Sequence, residues 1–276
     1  MKILLSYFFT LWLLPQFAIA DAISIAGSTT VNPLMQLLTK KYQASHASIY
    51  FYIDAEGSKQ GFGAAISQHA HIGMMSRELS ETEMNKMDGY KSLVIAYDTT
   101  SPIISDEIYH LGNITKISIE NLAKIYRGEI NNWRELGGPN RPILVVDAKM
   151  HHGSRYVFAK ALLGSPTAKV TKRAVVIDGD VEMANLVKAS DQAISYISAA
   201  FGNEDIHTLS ILVNGKVIEP SRQNIQSGTY PFSRKLHLIV PNHLPAYVQA
   251  FIDFVLSPEG QAIVKQAGYV PVLHGS

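Results

Sequence analysis

The 276-residue chain is 47% hydrophobic and 17% charged, enough apolar material for a substantial core, which excludes a disordered chain. Its formal net charge of +1 offers no global attraction to nucleic acid or another polyanion, so any affinity for an anion must be local. With no cysteine, a disulfide framework, a thiolate metal site, a cysteine nucleophile and a lipidated cysteine are all excluded.

Residues 1–20 read as a cleavable secretory signal: Lys2 supplies the positive start, residues 3–14 an apolar run, and Ala18-Ile19-Ala20 a small-residue cleavage site before Asp21. The run is short for a bilayer span. The mature chain is therefore expected in a bacterial periplasm, with secretion beyond the cell left open.

Residues 22–26 suit a strand. Pro33 then falls in a first helical turn, and Leu34, Leu37, Leu38 and Tyr42 continue a helical stripe. Residues 49–55 are rich in β-formers and precede a helix carrying Phe62, Ala65 and Ile66. Residues 93–96 predict a strand, the polar stretch 97–101 an interruption, and Ile103-Ile104 a resumption that marks a first crossing between two lobes. A helix over 119–126 stops at Gly128, and a long turn spans Asn131-Asn132-Trp133 to Gly137-Gly138-Pro139. Trp133 and Tyr126 are expected in the core rather than as an aromatic platform. Strands over 143–146, 175–177 and 194–197 alternate with helices over 156–163 and 181–189. The strand over 236–240 returns the chain to the first lobe. Val248, Phe251, Ile252 and Val255 keep helical spacing, and Ser257-Pro258-Glu259 starts a last helix that Gly268 ends. Alternating strands and helices predict an α/β fold with mainly parallel sheets.

Three short runs of glycine and hydroxyl residues stand directly ahead of helical patterns. They are Gly27-Ser28-Thr29-Thr30, Glu56-Gly57-Ser58-Lys59-Gln60-Gly61 and His152-Gly153-Ser154-Arg155. A helix start presents unpaired N–H groups and roughly half a positive charge, so hydroxyl donors placed there form an anion cradle. Three such starts converging would hold one small oxyanion. Arg155, directly after the third run, offers a fork of donors matched to a tetrahedral oxyanion; Arg77 either joins it or tethers a carboxylate.

In this order and spacing, four stretches resemble the phosphate-binding periplasmic proteins of ABC transporters. They are Ala26-Gly27-Ser28-Thr29-Thr30-Val31, Ile72-Gly73-Met74-Met75-Ser76-Arg77, the run from Ile125 to Trp133, and the run from Phe251 to Gln261. The resemblance implies a two-lobed periplasmic binding protein of type II, with helices on both sheet faces and a ligand cleft between the lobes. Residues 21–100 and 225–276 would form one lobe and 101–224 the other. It implies inorganic phosphate or a similar oxyanion as ligand, an ABC permease in the inner membrane as partner, and neither cofactor nor nucleic acid. By matched position, Ser28, Thr29, Thr30, Ser58, Gly153 and Ser154 would contact the ligand. Arg155 matches the arginine after the family's glycine-threonine pair, and Arg77 that of its serine-arginine motif.

The departures fall at ligand-side positions: His71 for an aspartate ahead of the isoleucine-glycine pair, His152 for a serine, and Ala148 for an arginine of longer members. An aspartate only accepts hydrogen bonds and so favours protonated phosphate over sulfate. His71 in its place predicts weaker discrimination, and tighter binding as pH falls through the histidine pKa, about 6.5 if unperturbed. His69, His71, His151 and His152 raise an alternative, the same fold turned to metal binding, signalling or adhesion, although no recognised metal spacing accompanies them. Neither a G-x-S-x-G elbow, an H-E-x-x-H pair nor a Walker loop is present, so catalysis has no supporting motif.

Overall fold

A computed structural model describes residues 21–150, 152–201 and 206–272. Residues 1–20, expected to be a secretory signal, and His151 lie outside the described residues.

The chain opens with β1 (Asp21–Gly27), α1 (Asn32–Ser45), β2 (Ile49–Asp54), α2 (Ser58–Ile66) and β3 (Ile72–Met75), and β1 pairs in parallel with both β2 and β3. Pro33 sits in the first turn of α1, where its missing N–H leaves no ladder bond unmade. Leu34, Leu38 and Tyr42 recur every fourth residue on the buried face with Met35 and Thr39. Leu37, expected in that stripe, faces solvent because it lies off this row.

After the short α3 (Glu81–Met84), β4 (Tyr90–Ile104) runs unbroken for 15 residues, including the polar stretch expected to interrupt it. From Asp98 to Ser101 these residues are buried instead of solvated, and three of them have side-chain partners. Asp98 accepts from the Ser198 hydroxyl at 2.9 Å and the Ala199 N–H at 3.2 Å, and Ser101 donates to Thr99 at 3.3 Å.

The second half comprises α4 (Asp106–Leu111), β5 (Lys116–Ser118), α5 (Ile119–Arg127), β6 (Leu144–Ala148), α6 (Gly153–Leu163), β7 (Val175–Ile177), α7 (Asp180–Ala189) and β8 (Ala193–Ser198). Then come β9 (His207–Thr208), β10 (Ser210–Val213), β11 (Lys216–Ile218) and α8 (Arg222–Gln226). Ser118 caps α5 and Gly128 ends it at φ +80°, a conformation an L side chain resists. The chain closes with β12 (Ser233–Pro241), α9 (Ala246–Leu256), α10 (Pro258–Gln266), capped by Ser257, and β13 (Val270–Pro271).

One large sheet runs in the order β2-β1-β3-β12-β4-β8-β6-β7, with β9 and β13 also paired to β4; β11-β10-β5 form a second, smaller sheet. Pairing is parallel in both wings, as expected, and antiparallel where the long strands cross. Strand β4 pairs with β12 up to Thr99 and with β8 from Thr100 onward. Two cores flank this handover. One gathers Ile23, Leu34, Ile72, Leu236 and Phe251; the other gathers Ile103, Tyr126, Trp133, Phe158 and Tyr196 and still includes Tyr230 and Phe232. Tyr126 and Trp133 are thus core residues, and the fold is a two-lobed α/β fold.

Candidate anion site between the lobes

The first wall is built by close backbone approach. A Cβ on Gly61 would lie 2.6 Å from the Gly27 Cα, so only two glycines let the start of α2 press against the end of β1. The Gly57 N–H donates to the Gly27 carbonyl at 2.9 Å, and the Ser28 N–H to that of Met74 at 3.0 Å. Three hydroxyls converge as a result. Ser28 donates to the Ser76 hydroxyl at 2.9 Å, and the Ser58 hydroxyl lies 3.3 Å from Ser76 Oγ while accepting the Ser76 N–H at 3.1 Å. All three serines are buried. Gly57 caps α2 without a side chain, so the first amides of the helix have no partner within it. Thr29 and Thr30 occupy the turn before α1, which begins only at Asn32. They line a cleft of about 300 Å³ with His152, Gly179 and Asp180.

The second wall begins at Gly153, the first residue of α6. A Cβ there would stand 2.1 Å from Ser76 Oγ and 3.8 Å from Arg234 Nη1, so the two lobes meet at this point. Ser154 donates to both oxygens of Asp180, at 3.0 and 3.1 Å. His152 Nε2 lies 2.5 Å from Asp178, whose carboxyl is held at about 2 by hydrogen bonds from Lys149 and then His152.

Ser28, Ser58, Gly153 and Ser154 are therefore brought together, with Thr29, Thr30 and His152 beside them, whereas His71, Arg77 and Arg155 are not. His71 stands at the entry end of β3, opposite the end that leads into Ser76. Its Nδ1 lies 2.8 Å from Ser24 Oγ and accepts the Ser24 N–H at 3.1 Å, with Tyr247 edge-on to the ring. The expectation that His71 filters the ligand is corrected accordingly: a strand's length separates it from the hydroxyls. Arg155 is buried inside its own lobe. Its Nε donates to Asp147 at 2.8 Å and its Nη2 to the Ala168 carbonyl at 2.6 Å, while Tyr196 donates to the other Asp147 oxygen. Arg77 tethers a carboxylate, the second of the two roles foreseen for it. It grips Glu83 through two hydrogen bonds of 2.7 and 2.8 Å and lies 5.0 Å over the ring of Tyr156, across the lobe boundary.

Four residues join the site that sequence reasoning missed: Ser76, Asp98, Asp180 and Arg234. Arg234 is only 6% exposed. Its Nε and Nη2 donate to Asp98 at 2.9 and 2.7 Å, while the buried Nη1 has no hydrogen-bond partner among the described residues. A buried guanidinium donor left over in this way is a demand for an acceptor. Burial raises the Asp180 carboxyl above its usual range, and Asp98 pushes it further, against the opposing pull of Arg234, Ser154 and His152. The usable signal for Arg234 was the Arg234-Lys235 pair at the head of an apolar strand, which on sequence alone reads as a solvated strand end. Of the four histidines of the metal alternative, His151 lies outside the described residues, and the other three form no cluster among the described residues: His69 contacts Ser67, His71 contacts Ser24 and His152 contacts Asp178.

Residues 17–259 match the model of the PBP superfamily domain. The chain is 31% identical over 257 residues to the phosphate-binding protein PstS of Borreliella burgdorferi, covering 91% of this chain and 90% of that protein. Two solved structures are similar along almost the whole chain. A protein assigned as a phosphate ABC transporter substrate-binding protein from Clostridium perfringens, with bound phosphate, superposes with a TM-score of 0.80 at 29% identity, covering 92% of this chain and 100% of that one. An ABC-type phosphate transport receptor from Vibrio cholerae gives 0.78 at 26% identity, with 91% and 100% covered. With hydroxyls, helix starts and a leftover arginine donor meeting between two lobes, and with these relatives, the chain belongs to the PBP superfamily and, within it, to the family of the phosphate-binding protein PstS.

Proposed function

We propose that this protein captures inorganic phosphate between its lobes and passes it to an ABC permease, acting as a receptor without turnover on the periplasmic side of the inner membrane. In this reading residues 21–100 form one lobe together with the chain after the return crossing near Phe232–Arg234, and the stretch between the two crossings, which includes Tyr230 and Phe232, forms the other, so the return falls later than residue 225. The observation that carries this reading is the buried, unpartnered Nη1 of Arg234 beside Ser76 and the start of α6. In it, Ser28, Thr29, Thr30, Ser58 and Ser76 supply hydroxyl donors, Gly153 and Ser154 supply backbone amides at the start of α6 while the Ser154 hydroxyl stays on Asp180, and Arg234 supplies the charge.

Charge-assisted hydrogen bonds formed where water is excluded contribute about 1.5–3 kcal/mol each, so Arg234 outweighs any single hydroxyl. Asp98 fixes the guanidinium and leaves one donor directed at the ligand. The raised Asp180 carboxyl next to Ser154 accepts a proton-bearing phosphate oxygen and repels an anion that has no proton to offer. Titration calorimetry with phosphate and sulfate tests the proposal. Saturable one-to-one phosphate binding, with sulfate much weaker, is expected; flat titrations with both ions would leave the fold without this function.

A further inference from the structure

Asp106, His110 and His207 stand apart from the cleft residues, and their ligand atoms lie within 4.8 Å of one another. Asp106 and His110 are one helical turn apart on α4, hence on the same face. His207 opens β9 directly opposite Ile104, the last residue of β4, so the sheet sets it beside the start of α4. Nε2 of His207 lies 2.7 Å and Nε2 of His110 3.4 Å from the same oxygen, Asp106 Oδ1.

We propose that Asp106, His110 and His207 form a binding site for a divalent transition-metal ion of the zinc class. Tetrahedral bonds of about 2.0–2.1 Å place neighbouring ligand atoms roughly 3.3 Å apart, a spacing that small side-chain shifts reach from the 2.7 and 3.4 Å separations to Asp106 Oδ1 found here. Two imidazoles with one carboxylate suit zinc, nickel or copper and not magnesium or calcium, which take oxygen ligands. The ring of Tyr109 stacks on His207 at 4.0 Å and 10°, fixing one imidazole, and His110 stands nearly perpendicular to it at 4.9 Å. Glu107 is taken up by Arg141 at 2.8 Å, leaving water to complete the shell. Asp106 and His110 are 63% and 62% exposed, so an ion enters without unfolding any element. Without metal, His207 Nε2 is hydrogen-bonded to Asp106 and His110 Nε2 lies close to the same oxygen; an ion would bind the Nε2 lone pairs of the neutral rings, each of which then carries its one proton on Nδ1. Such an ion would cross-link α4 to β9 within the second lobe.

The test is zinc titration of untagged full-length protein in phosphate-free buffer, followed by calorimetry and thermal unfolding, with magnesium and calcium as controls. One saturable equivalent of zinc and a rise in Tm are expected for the native chain, with no response to the controls. Both effects should be lost in His110→Ala and His207→Ala and sharply weakened in Asp106→Asn. Circular dichroism and an unchanged phosphate titration verify that each variant is folded. His71→Ala, carrying a histidine outside the cluster, should titrate as the native chain does. No saturable zinc uptake by the native chain, or uptake that survives in both histidine variants, would overturn the site.

Discussion

The two walls of the cleft solve the same problem differently. On the first wall, the hydroxyls of Ser28, Ser58 and Ser76 bond chiefly to one another, neutral to neutral. Along the start of α6 on the second, polar side chains are each engaged by an acid: His152 by Asp178, Ser154 by Asp180 and Arg155 by Asp147. A hydroxyl pair exchanges its partner for an anion at little cost, whereas breaking a contact to a buried carboxylate, as at Asp147 and Asp180, leaves a buried polar group uncompensated. The first wall is therefore adaptable and the second is braced. Arg234 belongs to both behaviours, with two donors braced by Asp98 and one still to be used.

The largest effect that would break this contrast comes from Arg234→Met. Removing the guanidinium strips the site of its charge and leaves Asp98 buried without its cation, which costs about 3–5 kcal/mol of fold stability. Phosphate affinity should fall by more than ~100-fold, since the loss of one charge-assisted contact of about 3 kcal/mol already accounts for that factor. Adding Asp98→Asn separates the two consequences: urea unfolding should show stability recovered, while calorimetry still finds phosphate binding lost. Recovery of both would mean that Arg234 is structural alone.

Gly153→Ala ranks next and probes the contact between the walls. The added methyl would sit 2.1 Å from Ser76 Oγ, and that hydroxyl is held by Ser28 and Ser58. Overpacking of this kind costs about 1–3 kcal/mol, which predicts a roughly 10- to 100-fold weaker phosphate Kd with an almost unchanged Tm, because the strain exists only where the lobes meet. Normal affinity in calorimetry would show that the ligand does not need this approach.

Asp180→Asn sharpens the account of the braced wall through pH. Burial raises this carboxyl above its usual 3.8, so the folded state favours the protonated form. The corresponding stability is fully present below pH 3.8 and is lost as pH rises through the raised value. Asparagine removes that loss while keeping an acceptor for Ser154. Urea unfolding of the phosphate-free protein should find the variant more stable than the native chain at pH 8, with a flatter stability profile above pH 4. Sulfate affinity should rise by about tenfold, because a repelling carboxylate has gone.

Much of the scaffold was legible because it rests on local rules. Pro33, Gly128 and Ser257 mark helix ends through backbone and capping preferences that operate within a few residues. The runs at Ser28, Ser58 and Gly153 likewise marked segments that meet at the cleft. Two things escaped for the same physical reason. The polar stretch of β4 reads as an interruption until Ser198 arrives from 100 residues away to pair with Asp98. Arg234 reads as a solvated strand end until Asp98, 136 residues distant, claims two of its donors. A buried charge is defined by its partner, and local pattern carries no record of partners remote in sequence. Arg155 misled in the converse way: its place after a hydroxyl run suggested the ligand, while α6 turns its side chain toward Asp147.

The smallest expected effect is also the one that divides position matching from geometry. His71 occupies a position matched to an aspartate of the family, and on that ground alone His71→Ala should alter both the phosphate-to-sulfate ratio and its dependence on pH. In the fold its ring answers to Ser24 and Tyr247 at the entry end of β3, and Ser76 follows the far end of that strand. Four strand residues at about 3.3 Å each place more than a Debye length of 8 Å between them at physiological salt, so an imidazolium there is largely screened from the cleft. Phosphate and sulfate affinities measured at pH 5.5 and 8 should therefore be the same in His71→Ala and the native chain to within about twofold, with only a small loss of stability from losing the imidazole contacts to Ser24. A pH dependence that disappears with His71 would return that histidine to the ligand and take the discrimination away from Asp180.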